Sequence, residues 1–181
     1  MTQEGWNLDR KWKKKAYALL EFIRYNSGVD WMKSQRRYLD VGVVFIPSKV
    51  ENHYGNEVLS LYNLLEEVQK AYILGLDRAS ISLCRALTEL VLARHYAPEL
   101  CLDYAGRVQA IPLEGLIDEC ERKYPHLKKK NLHAKRRLAN KILHPKEITE
   151  RDLLTAREWI RELKNLIEEA PDLIRKKPVS R

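Results

Sequence analysis

The run Arg136-Arg137-Leu138-Ala139-Asn140-Lys141-Ile142-Leu143-His144 gathers side-chain types that could handle a phosphate. On an α-helix, Arg136, Asn140 and His144 are spaced i, i+4, i+8 and form one slowly drifting stripe; Arg137 and His144, seven apart, also share a face. Pro145 follows at once. The residue before a proline avoids helical geometry, so the spacing predicts a helix that stops near His144. An imidazole on the last turn sits where the macrodipole favours its protonated form. A guanidinium can clamp a phosphate bidentately, and histidine is the one side chain on the stripe able to shuttle a proton near neutrality. The same residues also suit an ordinary solvated helix end, with His144 doing no more than capping it.

Charge singles out the same segment. From Arg122 to Lys146 the chain carries ten Lys or Arg, among them Lys128, Lys129, Lys130, Lys135 and Lys141, and no Asp or Glu. The net charge of the whole is +8, so the rest of the chain is slightly acidic. Such a run is either a solvated surface or a contact for a polyanion, with RNA or DNA ahead of membrane. The five lysines are therefore candidate nucleic-acid contacts.

The elements that must hold this segment read as helices. With 181 residues, 45% apolar and 32% charged, the chain is long enough to bury a core and has an ordinary globular composition. No apolar run approaches the roughly 18 residues that span a bilayer, and the N-terminus shows no apolar signal region. Three widely spaced cysteines suit neither a disulfide framework nor a zinc site, so a reducing cytoplasm is the expected setting.

Residues 8 to 26 predict a first helix with Leu8, Trp12, Ala16, Leu19 and Ile23 on one face. Residues 29 to 55 have no clear period; Val41 to Ile46 suits a short strand or an extended arm. From 56 the pattern is regular. Val58, Leu61, Leu65, Val68 and Tyr72 make one seam ending at Gly75, and Asp77 is the expected N-cap of a nearly all-apolar helix to about Tyr96. That helix narrows its polar residues to a stripe of Arg78, Ser82, Arg85 and Glu89, which suits the middle of a bundle. Along the stripe, Arg85 and Glu89 have the spacing of an i, i+4 ion pair.

Pro112 can open a helix to about Tyr124, with Leu113, Leu116, Ile117 and Cys120 inward; the basic helix follows, from Leu127 or Lys130 to Leu143. Thr149 to Asp152 resembles a capping box opening a last helix whose Leu153, Ala156, Ile160, Leu163, Ile167 and Ala170 face inward. The prediction is an all-α antiparallel bundle of about five core helices at 56–170. An N-terminal helix and arm at 1–55 pack on it, and 171–181 form a basic tail.

No Glu-x-x-His pair, glycine-rich phosphate loop, nucleophile elbow or zinc helix is present, so no metal or cofactor is expected. Three segments together resemble the HEPN superfamily of helical nucleotide-binding domains, and within it the domain-of-unknown-function branch often attached to restriction enzymes. Leu83-Cys84-Arg85-Ala86-Leu87-Thr88-Glu89 is similar to that branch's Arg-x-x-x-Glu helix. Pro112-Leu113 stands where its next helix commonly begins. Arg136 to His144 is similar to its Arg-x-x-Gly-Asn-x-x-x-His signature, with Ala139 in place of the Gly.

The resemblance implies a homodimer that binds RNA, in a prokaryotic defence or toxin setting with a partner protein, and a metal-independent endoribonuclease pairing Arg-x(4–6)-His motifs across a cleft. Arg137, six residues before His144, fits that spacing; Arg136 fits the branch signature. The catalytic set so implied is Arg136, Arg137, Asn140 and His144, with Arg85 and Glu89 behind it. RNA carries its own nucleophile, the 2′-OH, so such a site has only to position it, move protons and stabilise phosphorane charge. From a different class, a non-catalytic nucleotide- or protein-binding helical module would use the same stripe for grip alone.

Overall fold

A computed structural model describes residues 18, 21, 25, 31–41, 55–100, 111–143 and 149–171. The helices are α1 (Trp31–Val41), α2 (Gly55–Ile73), α3 (Asp77–Val91), α4 (Leu113–Lys123), α5 (Leu132–Leu143) and α6 (Glu150–Glu168). A π-helical turn, Leu92–Tyr96, extends α3, and 3₁₀ turns cover Pro98–Leu100 and Pro125–Lys130. The fold is all-α, with no strand among the described residues. Within those residues no helix is long and apolar enough to cross a membrane. Ala18, Glu21 and Tyr25 are helical; the remainder of the expected first helix, and the stretch 42–46 of the expected strand, lie outside the described residues.

The core follows the apolar periods. The α2 seam of Val58, Leu61, Leu65, Val68 and Tyr72 is buried along its length. It ends in a Schellman motif: Leu76 N–H donates to Ala71 O at 2.9 Å and Gly75 N–H to Tyr72 O at 3.0 Å. Gly75, at φ +82°, supplies the left-handed residue that this motif needs. Leu113, Leu116, Ile117 and Cys120 of α4 are buried, as are Ala156, Ile160, Leu163 and Ile167 of α6.

The central helix is α3, packed against α2, α5 and α6. Its buried face is Ser80, Ile81, Cys84, Leu87, Thr88 and Val91. Ala79, Ser82 and Ala86 are exposed, so the apolar character all round the sequence reflects small residues on an open face as well as core.

Four local expectations are corrected. Asp77 is not a cap: it begins α3, and its carboxylate receives both terminal nitrogens of Arg37, at 2.5 and 3.1 Å. The helix beyond Val91 is π-helical, with Ala97 N–H reaching Leu92 O at 2.9 Å. The basic helix starts at Leu132, because Asn131 at φ 50° is left-handed and separates it from the preceding 3₁₀ turn. Val41 closes α1 and is not the start of a strand.

Helix α1 carries only a thin apolar period, Trp31, Tyr38 and Val41 on the face of Ser34. Among its described side chains Ser34 and Arg37 are buried and Tyr38 and Val41 half-buried, while Met32 and Leu39 are exposed. It docks through Val41, which packs on the core, and through polar bonds. Arg37 also donates to Tyr72 O at 2.8 Å and lies over the Tyr72 ring, and Arg161 Nε of α6 donates to Asp40 O at 2.7 Å.

Candidate functional site at the α3–α5 contact

Helix α5 is amphipathic in three directions. Leu132, Leu138, Ala139 and Ile142 enter the core, and its polar residues leave toward three different neighbours. Arg136 turns to α4, where Nη2 meets Glu114 Oε1 at 2.7 Å; its Nε is buried without a hydrogen-bond partner. His133 turns the same way, with Nε2 3.1 Å from Asp118 Oδ1. Asn140 turns to α3, where its Oδ1 accepts a hydrogen bond from Arg85 Nη1. Arg137 is exposed and lines an open groove between α5 and α6. The helical stripe thus diverges at its tips: Asn140 and Arg85 come together, and Arg136 and Arg137 face opposite flanks. His144 and Lys146 lie outside the described residues.

The polar stripe of α3 runs along the C-terminal half of α5. Arg78 Nη1 donates to Ile142 O at 3.0 Å, satisfying one of the last carbonyls of α5, and one arginine further along Arg85 holds Asn140. Arg85 therefore bridges helices, and no Arg85–Glu89 ion pair forms among the described residues; Glu89 is half-buried. With its Oδ1 occupied, the Asn140 carboxamide presents its NH₂ as a donor edge.

Most of the positive run is neutralised in space. Lys130 pairs with Glu169 at 2.9 Å, Lys141 with Asp152 at 2.6 Å, Lys123 with Glu99 at 2.6 Å, and Arg122 with Glu119. Lys135 is buried, held by Glu162 and by Lys130 O at 2.7 Å. Lys128, Lys129 and Arg137 are exposed and have no ion-pair partner among the described residues. Beneath Lys135, burial pushes the Cys84 thiol far above its ordinary value, opposed only in part by the Lys135 ammonium, so Cys84 is a core residue and no nucleophile.

At the start of α6, burial pushes the Asp152 carboxyl up. Hydrogen bonds from Lys141 and from the Thr149 backbone and hydroxyl outweigh that and hold it below the usual carboxylate range. Among the described residues no group of His, Cys, Asp or Glu could hold a metal ion.

Sequence reasoning missed the acids that hold these cations, and it missed Arg151, which lines the groove beside Arg137. Glu114, Glu162 and Glu169 lie on other segments, distant in sequence, and no local spacing marks them as partners. Arg78 did carry a signal, its i, i+7 spacing from Arg85 on the polar stripe. No family model matches the chain, and no curated protein or solved structure matches it either.

Proposed function

We propose that this chain is an RNA-binding helical bundle of the HEPN kind, acting as a homodimer and cutting RNA without a metal ion. The observation that carries this reading is the bond between Arg85 of α3 and Asn140 of α5. It joins the two helices whose sequences resemble the superfamily's motifs, at the motif residues themselves.

In this reading Arg137, exposed and without an ion-pair partner among the described residues, clamps the scissile phosphate. Arg136 supports the helix through Glu114. The NH₂ of Asn140, fixed by Arg85, orients the ribose or the imidazole. His144, which follows α5 directly in the chain, moves the proton, and a second copy supplies the complementary acid or base. Attack of the 2′-OH on its own phosphate leaves a 2′,3′-cyclic phosphate and frees a 5′-hydroxyl.

The test is incubation of the purified chain with mixed single-stranded RNA in EDTA, beside His144→Ala and Arg137→Ala. Cleavage by the parent, none by His144→Ala, and no cleavage of strands lacking the 2′-OH are the expected results. A second reading, the non-catalytic binding module, is favoured by the pairing of Arg136 with Glu114, which removes one of two candidate clamps. Binding of intact RNA that weakens with salt, with no products, would decide for it.

A further inference from the structure

We propose that the groove between α5 and α6 seats the phosphodiester backbone of a single RNA strand through Lys129, Arg137 and Arg151, reading phosphate and not sugar. That the strand is RNA rests on the reading above; the groove's chemistry does not.

The groove has a volume of about 530 Å³ and opens between the Pro125–Lys130 turn, α5 and the first turns of α6. Six cations line it against three carboxylates, so it is net positive. The lining pairs divide its charges cleanly. Lys135 is held by Glu162, Lys141 by Asp152, and Lys130 by Glu169 outside the groove. Lys129, Arg137 and Arg151 have no ion-pair partner among the described residues, and each comes from a different one of the three walls.

Unpaired cations spread over three elements suit a repeating polyanion better than one small anion. A cleft between two helices admits one backbone, whereas a duplex presents its phosphates across a wide shallow groove. Contacts made by cations to phosphate oxygens carry no information about the sugar or base. The one opposing charge is Glu158, a lining carboxylate with no ion-pair partner among the described residues. It repels the strand.

The experiment uses the full chain carrying His144→Ala, so that bound RNA stays intact, and reads fluorescence anisotropy with labelled oligouridylate and labelled oligothymidylate. Both strands bind with comparable affinity. Lys129→Gln and Arg151→Gln each weaken both strands by about fivefold at 0.1 M salt, the loss of one phosphate contact on a single strand. Arg36→Gln, an equal charge change at an exposed α1 residue outside the groove, leaves binding unchanged.

Glu158→Gln tightens both strands, a gain that misfolding does not imitate. Equal loss in Arg36→Gln, parent-like binding by the groove variants, failure of Glu158→Gln to tighten, or a strong preference for the ribose strand each overturns the proposal. Because the thymidylate strand has no 2′-OH, its binding stands or falls independently of whether the chain cuts RNA.

Discussion

Trp159 is among the largest fully buried side chains, and its indole N–H has one outlet, the Thr88 hydroxyl at 2.9 Å, which itself donates to Cys84 O at 2.8 Å. Thr88→Val keeps the shape and strands the indole donor in a dry core. The expected cost is about 1–3 kcal/mol in denaturant unfolding, with Thr88→Ser recovering most of it. An unchanged midpoint would mean that the relay contributes nothing. Residues of this kind show where sequence reading stops. The stripe of Arg136, Asn140 and His144 follows from helical arithmetic, but the arithmetic places α-carbons. The partners Glu114, Asn140 and Glu162 that decide what Arg136, Arg85 and Lys135 can do come from helices brought together only by the fold.

Helix boundaries were legible where a reciprocal cap marks them, and less so at α3, where Asp77 begins the helix without capping it and the apolar period runs on into a π-helical turn. Thr149 and Asp152 form the reciprocal box read from the sequence, and Lys141 adds a cross-helix bond to the same carboxylate. Thr149→Ala is expected to cost about 1 kcal/mol. Because the folded Asp152 carboxyl is held low, its contribution is full above the ordinary carboxylate pKa and is lost as pH falls through the depressed folded value. Asp152→Asn should therefore flatten the acid limb of the stability–pH curve while changing its neutral region by a constant amount. A parallel acid limb would show that other carboxylates govern it.

Helix α1 was hard to read because its thin apolar period, Trp31, Tyr38 and Val41, is interrupted by the buried Ser34, while Arg37 is buried and Met32 and Leu39 are exposed. Its hold depends on Asp77, so Asp77→Ala leaves the nearly buried Arg37 cation without its carboxylate. The expected loss is about 3 kcal/mol, with hydrogen exchange rising first across 31–41. Protection retained there would mean that the remaining α1 contacts suffice.

For the molecule as a whole, a bundle of amphipathic helices was readable from periodicity, whereas its electrostatic surface was not. Ten cations crowd 25 residues of chain without one acid, and in sequence they look like a single polyanion footprint. Folding brings α4, α6, the residue after α6 and the Pro98–Leu100 turn against them, and within α4 itself Arg122 meets Glu119. Arg122, Lys123, Lys130, Lys135, Arg136 and Lys141 all acquire carboxylates. What remains unpaired among the described residues of the run is Lys128, Lys129 and Arg137; of these Lys129 and Arg137 line the groove, together with Arg151.

The two pictures make different numbers. Counterion release from a single strand gives a log–log salt slope of about −0.7 per phosphate contact, so ten engaged cations predict a slope of about −7 and three or four predict about −2 to −3. An anisotropy titration of single-stranded RNA across a range of salt concentrations measures it directly. A shallow slope means that the ion pairs persist in the complex and that the groove cations set the affinity. A steep one means that RNA breaks those pairs, releasing α5 cations from Glu114, Glu162 and Asp152, and the surface would then have to be redrawn around the sequence rather than the fold.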